Sequence, residues 1–307
     1  MLRRLGYACL CPSLPNSSPR GTILRNATPE RLRELIGVNL ERLGRVLRFN
    51  VEHDIQLFRI SSDVIPFGSH PVNEIPWWDE FAGVLAELAA YIRAHDLRVS
   101  THPGQYTVLS ATDPKILAAS VRDLAYQARL LDALGTHTSH KIVIHVGGAY
   151  GDKPSAMARW VEAVKRLPAN VRDRLVLEND ERLFGADDVL AAATAADVPV
   201  VFDVLHHRVY TGGDADLPDM LRRAFATWRP DRDGQPKIHY STQADNQRPG
   251  AHAHMVDFAE FRAFLDVAPP EIAFDCMLEA KAKEAALFGL RDALGPIETG
   301  RAGAIAR

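Results

Sequence analysis

The stretch Pro199-Val200-Val201-Phe202-Asp203-Val204-Leu205-His206-His207 decides the fold. Pro199 ends a loop, and residues 200–202 read as a buried strand. A carboxylate and an imidazole then appear three residues apart, where that strand should stop. An apolar run of β-formers that ends in Asp and His is what a barrel or an open α/β sheet needs to present ligands at its carboxyl edge.

The device repeats along the chain. Strands are expected over 4–10, 55–60, 97–100, 141–144, 174–177, 200–202, 237–240 and 271–277. Helices are expected from the Thr28-Pro29 start to about 53, and over 77–95, 113–134, 155–166, 186–196, 217–228, 258–265 and 279–294. Eight β/α units in this order point to a single (β/α)8 TIM barrel over 1–294, with 295–307 as a small, polar flexible tail. An open doubly wound sheet could hold the same units. No GxGxxG follows the first strand and no GxxxxGK[ST] is present, so no nucleotide cofactor is expected.

Composition narrows the function classes. The 307 residues are 47% hydrophobic and 24% charged, as in ordinary globular chains. No apolar run approaches the roughly 18 residues of a membrane helix, and no signal-peptide pattern opens the chain. Three cysteines (Cys9, Cys11, Cys276) argue against a disulfide framework and for a cytoplasmic protein. Cys9-x-Cys11 has no partner pair with which to hold zinc. The net charge of −3 carries no basic signal for nucleic acid.

Ionisable groups follow almost every strand. Asp63 and His70 come after the second, His102 the third, His145 the fourth and Glu178 the fifth. Asp203 and His206 come after the sixth; His239, His252 and His254 belong to the seventh unit, and Glu279 to the eighth. Any one of these can be a capping or core residue. Together they would converge on the carboxyl-end rim of a barrel, where unpaired burial is prohibitive and divalent ions resolve the conflict. Eight or more candidate ligands exceed one tetrahedral site, so two or three ions per chain are expected. Mixed His and carboxylate donors suit zinc, manganese or iron and do not distinguish them; manganese is the ion expected first, with zinc, magnesium or cobalt as alternatives. Clustered ions of this kind serve phosphoester hydrolysis. A metal-dependent sugar isomerase draws on the same donors.

Several motifs are specific in combination: Gly6-Tyr7-Ala8, Arg59-Ile60-Ser61-Ser62-Asp63, Thr101-His102-Pro103-Gly104-Gln105-Tyr106, Ile144-His145-Val146-Gly147-Gly148, Leu177-Glu178-Asn179-Asp180, Asp203-Val204-Leu205-His206-His207, Lys237-Ile238-His239-Tyr240-Ser241 and Asp275-Cys276-Met277-Leu278-Glu279-Ala280-Lys281. Over residues 4–290 the chain resembles the UV damage endonucleases, barrels related to the AP endonucleases of the endonuclease IV type.

The resemblance implies a repair enzyme that nicks the phosphodiester immediately 5′ of cyclobutane pyrimidine dimers and 6-4 photoproducts, and also cuts abasic sites. Metal-bound hydroxide would attack phosphorus and leave a 3′-hydroxyl and a 5′-phosphate. It implies that His102, His145 and Glu178 hold one ion, and that Glu178 bridges to a second held by Asp203, His239 and Glu279. His206 and His252 would hold a third. The family pattern after the seventh strand is His-Ala-Asp, whereas this chain has His252-Ala253-His254, so His254 enters as a possible additional ligand. His70 would contact the phosphate, Lys237 would lie near the ions and can be carboxylated, and Gln105, Tyr106 and Tyr7 would read the lesion. Arg208, Arg248 and Lys281 are candidate phosphate contacts. The implied partner is damaged double-stranded DNA, bound by a cytoplasmic monomer associated with the nucleoid during repair. An AP endonuclease limited to abasic sites and the sugar isomerase remain the alternatives.

Overall fold

In the computed structural model, which describes residues 1–214 and 216–295, eight short strands run parallel. They are β1 (Leu2–Ala8), β2 (Leu57–Arg59), β3 (Arg98–Ser100), β4 (Ile142–Ile144), β5 (Leu175–Glu178), β6 (Val200–Asp203), β7 (Lys237–Tyr240) and β8 (Phe274–Leu278). The hydrogen-bonded order is β3-β2-β1-β8-β7-β6-β5-β4. A bridge between Thr101 and Ile142 joins the two end strands: Thr101 N donates to Lys141 O (3.0 Å) and Val143 N to Thr101 O (3.0 Å). The expected (β/α)8 barrel is the fold. The tail expected over 295–307 lies, beyond Gly295, outside the described residues.

Alternation along each strand divides the core in two. Outward residues such as Phe58, Ile144, Leu177, Phe202, Ile238 and Leu278 pack beneath the helices in one large apolar cluster. Inward residues form smaller groups: Val143, Val176 and Val201 meet Trp228, and Ala8 and Leu57 meet Met277. Gly6 belongs to the inner wall where β1 and β2 approach closely, and a Cβ there would collide with the Leu57 carbonyl. At the opposite end from the candidate ligands, Arg98 pairs with Asp275 (2.8 Å) and Lys141 with Asp233 (2.5 Å). These pairs satisfy charges that could not be buried alone.

Helix boundaries depart from the sequence reading in several places. The expected helix over 77–95 is two, Trp77–Glu80 and Ala82–Ala94, separated at Phe81. The last helix starts at Glu284 rather than at 279, after Lys283 takes a φ of 55°. An unexpected helix, Val204–Thr211, follows β6 without a loop because the Asp203 side chain caps it, accepting from His206 N at 2.7 Å. This helix turns His206 toward the barrel mouth. No helix among the described residues is long and apolar enough to cross a membrane.

Candidate metal centre

The rim is assembled from strand ends. Glu178 and Asp203 are the last residues of β5 and β6, His239 lies within β7, and His145 and Glu279 directly follow β4 and β8. Glu178 stands at the centre. Its Oε2 is 3.0 Å from His102 Nε2 and 3.5 Å from His145 Nε2, while its Oε1 is 2.5 Å from His239 Nδ1. Two donor groups result, His102 with His145 and Glu178, and Glu178 with Asp203 and His239. Glu279 joins the second, 3.1 Å from His239 Nδ1. His252 Nδ1 is 3.8 Å from the other Glu279 oxygen, and the His206 ring lies between His145 and His252 with centroids 6.0 and 6.1 Å away.

The chemistry of this donor set fits divalent ions. His102 Nδ1 lies 3.1 Å from the Pro103 carbonyl, and when it donates there the free Nε2 faces a carboxylate, acceptor against acceptor. Asp203 Oδ2 and His145 Nδ1 are buried with no hydrogen-bond partner. Burial first, then Glu178 and Glu279, raise Asp203 to about 7 against the pull of His206. Burial lowers His145, and lowers His239 to about 4. Burial would raise Glu178, but His239 and His145 hold it well below the carboxylate range. Cations placed among these groups would relieve the unpaired Asp203 oxygen and the desolvated imidazoles.

Two residues that support the ligands escaped the sequence reading. Arg59, at the end of β2, forms a buried ion pair with Glu279 and places Nη2 3.1 Å from His239 Nε2. The signal was a cation closing the apolar run Leu57-Phe58, the same signal that marks the acids and histidines. Asn179 is fully buried; its side chain accepts from Asp203 N (2.9 Å) and donates to Asp203 O (3.0 Å), and its carbonyl lies 3.0 Å from His206 Nδ1. One amide therefore orients two candidate ligands.

The remaining site candidates separate. Gln105 and Tyr106 are exposed in the loop that begins at His102, with Tyr106 83% accessible, so the tyrosine does not pack into the barrel mouth. His70 is exposed, and its Nδ1 accepts from Val72 N at 3.0 Å. Lys237 is buried inside the barrel two residues before His239; burial, with Arg98 and Arg59, holds its amine well below the ordinary range. His254 is exposed and is not drawn into either donor group. Arg208 is tied to Asp214 (2.7 Å), whereas Arg248 and Lys281 are exposed.

Tyr7 corrects the expectation of a lesion contact. It is 0% exposed, packs on Phe58 with centroids 5.1 Å apart, and donates its hydroxyl to Asn50 Oδ1 at 2.7 Å. The pleat of β1 turns Gly6 and Ala8 inward, so Tyr7 faces the helix Pro29–Glu52 and cannot touch DNA from there.

Comparison with known proteins agrees with this architecture. The family described as UV-endonuclease UvdE matches residues 3–302. A curated relative named UV DNA damage endonuclease, from Clostridium perfringens (strain 13 / Type A), is 35% identical over 281 residues, covering 92% of this chain and 68% of its own. The crystal structure of SacUVDE superposes with a TM-score of 0.88 at 34% identity, covering 95% of this chain and 98% of that one. Endonuclease IV from Thermus thermophilus shares the fold at 17% identity, with a TM-score of 0.58 and coverage of 95% and 98%. The chain belongs to the UV-endonuclease UvdE family.

Proposed function

We propose that this UV-damage repair endonuclease nicks the phosphodiester immediately 5′ of cyclobutane pyrimidine dimers and 6-4 photoproducts, and at abasic sites, leaving a 3′-hydroxyl and a 5′-phosphate. The observation that carries the reading is the position of Glu178, whose two oxygens face different donor groups, His102 and His145 on one side and His239 on the other. A carboxylate so placed would serve both positions of a pair of ions, the arrangement suited to in-line displacement at phosphorus.

When bound, the ions would lower the pKa of water to about 7 and offset charge on the phosphate. This chain's residues set the rest. Asp203, His239 and Glu279 complete the second position, and His206 and His252 serve a third; manganese is the ion proposed. Arg59 pins Glu279, so that its carboxylate keeps one orientation. With Nδ1 of His70 accepting from the backbone, its Nε2 carries the proton and can donate to a phosphate oxygen. Lys237, whose amine burial shifts well below the ordinary range, is the residue proposed for carboxylation. Gln105 and Tyr106, beside His102 and free of the core, are the groups to enter the duplex and stack where damaged bases leave it. A dimer already stacks poorly, which lowers the flipping cost of a few kcal/mol.

The test is incision of a labelled duplex carrying one cyclobutane dimer, with manganese, beside abasic and undamaged duplexes. Cutting 5′ to the dimer, lost by more than a hundredfold in Glu178→Ala, supports the reading, since even groups behind the ligands cost about 10–100-fold. Cutting of the abasic strand alone would make the protein an AP endonuclease. No cutting of either duplex, with ions confirmed bound, would overturn the nuclease reading and turn attention to sugars.

A further inference from the structure

We propose that Tyr150, in the loop after β4, is a second aromatic contact to damaged DNA, receiving on its ring the bases displaced from the duplex at the lesion while Tyr106 fills the gap they leave. The inference rests on the endonuclease reading above and adds to it a residue outside the motifs that carry the family resemblance.

The loop begins at His145, a member of the first donor group, and runs His145-Val146-Gly147-Gly148-Ala149-Tyr150-Gly151. Tyr150 has a φ of 53°, in the left-handed region that glycine enters readily and a bulky side chain enters only with strain. In a segment already rich in glycine, a tyrosine thus occupies a position that glycine would fill at less cost. Packing does not explain the choice, since the residue is 50% exposed. Strain kept at an exposed aromatic beside a ligand-bearing strand end points to a binding role.

The ring is held in place all the same. It lies against Gly148, where a Cβ would stand 3.0 Å from Tyr150 Cε2 and 3.2 Å from Cζ. The Arg159 guanidinium carbon is 5.6 Å from the ring centre, and Arg159 Nε donates to Ser110 O at 2.8 Å. Ser110 Oγ in turn donates to Gly148 O at 3.0 Å. Gly147, at φ +103°, comes so near that a Cβ there would stand 2.5 Å from Val108 Cγ1. Val108 and Ser110 belong to the loop that carries Gln105 and Tyr106, so the two loops are joined at their bases. Each presents an exposed tyrosine, Tyr106 four residues after His102 and Tyr150 five after His145, and those histidine rings are 5.4 Å apart. A duplex opened at a lesion leaves two things to satisfy, the gap in the stack and the displaced bases. Tyr106, at the tip of its loop, suits the first. Tyr150, backed by Gly148 and half exposed, suits the second, because an aromatic face is tolerant of which base it meets.

The experiment is single-turnover incision of a labelled dimer duplex by the full-length chain in manganese, for wild type, Tyr150→Ala, Tyr150→Asn and Tyr150→Phe. Enzyme concentration is varied to give the half-saturating concentration, and unlabelled abasic and undamaged duplexes are added as competitors to report their own affinities. Circular dichroism confirms folding, and Tyr150→Asn, which tolerates the left-handed backbone, stands in where Tyr150→Ala does not fold. Tyr150→Ala and Tyr150→Asn are expected to raise the half-saturating concentration on the dimer duplex by about 5–100-fold, the worth of stacking one base. Tyr150→Phe is expected to stay near wild type. Competition by the abasic duplex, which has no base to displace at its lesion, and by the undamaged duplex should hardly change. Equal weakening on all three duplexes would make Tyr150 a structural or general contact and overturn the proposal, as would a loss in Tyr150→Phe as large as in Tyr150→Ala. Wild-type cutting of the dimer duplex that Tyr150→Ala leaves at full affinity removes Tyr150 and leaves the endonuclease. A wild type that does not cut the dimer duplex removes both.

Discussion

Arg59 Nη2 donates to Glu279 Oε1 across the barrel mouth, joining residues 220 positions apart, and the same nitrogen lies 3.1 Å from His239 Nε2. The guanidinium therefore sits among Glu178, Glu279 and His239, a fixed cation where the ligand set is most negative. Removing one partner of a buried pair leaves the other charge uncompensated. Arg59→Met should destabilise the metal-free protein by about 3–5 kcal/mol in urea unfolding. Saturating manganese should shrink that loss, because ions supply the missing charge. An unchanged midpoint for the metal-free variant would show that the pair contributes nothing.

Asp203 supplies the pH dependence. Burial, with Glu178 and Glu279, raises its value from the ordinary 3.8 to about 7. The folded state then holds a proton that the unfolded state has released, so metal-free stability falls as pH rises from about 4 to about 7. Asp203→Asn removes this dependence and should stabilise the metal-free protein at pH 8 by roughly 1–3 kcal/mol. The same change should weaken manganese binding, while wild-type affinity should rise with pH through 7 as the ligand sheds its proton. Melting curves with chelator and with manganese should shift in opposite directions for this variant. A shift in the same direction would remove Asp203 from the ligand set.

Tyr106 is 83% exposed, so Tyr106→Ala should leave the melting midpoint nearly unchanged, within about 0.5 kcal/mol. Binding of dimer-containing duplex should weaken by about 1–3 kcal/mol, the worth of stacking one base. Binding of undamaged duplex should change far less. Equal losses on both duplexes, measured by fluorescence anisotropy, would assign Tyr106 to general DNA contact.

Tyr7 makes the contrary case. Its hydroxyl donates to Asn50 Oδ1 beneath the helix Pro29–Glu52, so Tyr7→Phe should cost about 1–3 kcal/mol of stability by stranding a buried acceptor. Discrimination between dimer and undamaged DNA should persist below the new midpoint. Loss of discrimination at full folding would return Tyr7 to the lesion site.

The difference between these two tyrosines marks how far the sequence could be read. Tyr106 follows Pro103-Gly104 in a polar loop, and a loop position next to a ligand is an exposed one. Tyr7 lies in a strand buried on both faces. In such a strand apolar residues occupy inner and outer positions alike, and no hydropathic alternation says which way a side chain points. The same blindness hid Arg59, whose pairing with Glu279 depends on two distant strand ends meeting.

What the sequence by itself determined was the run of eight β/α units, read as a barrel with the family resemblance beside it, and the ring of candidate ligands. Apolar runs spaced by helices specify parallel strands, and in that fold every strand ends on the same rim. Ionisable residues at successive strand ends must therefore meet, as His102, His145, Glu178, Asp203 and His239 do. Only the tertiary structure decided which groups face one another within the ring. It set Glu178 between two donor groups and Tyr7 beneath a helix. Strand pleat, the cap at Asp203 and the packing of Gly147 on Val108 act over a few ångströms between segments far apart in the chain. Residue order does not encode those distances until the barrel has closed.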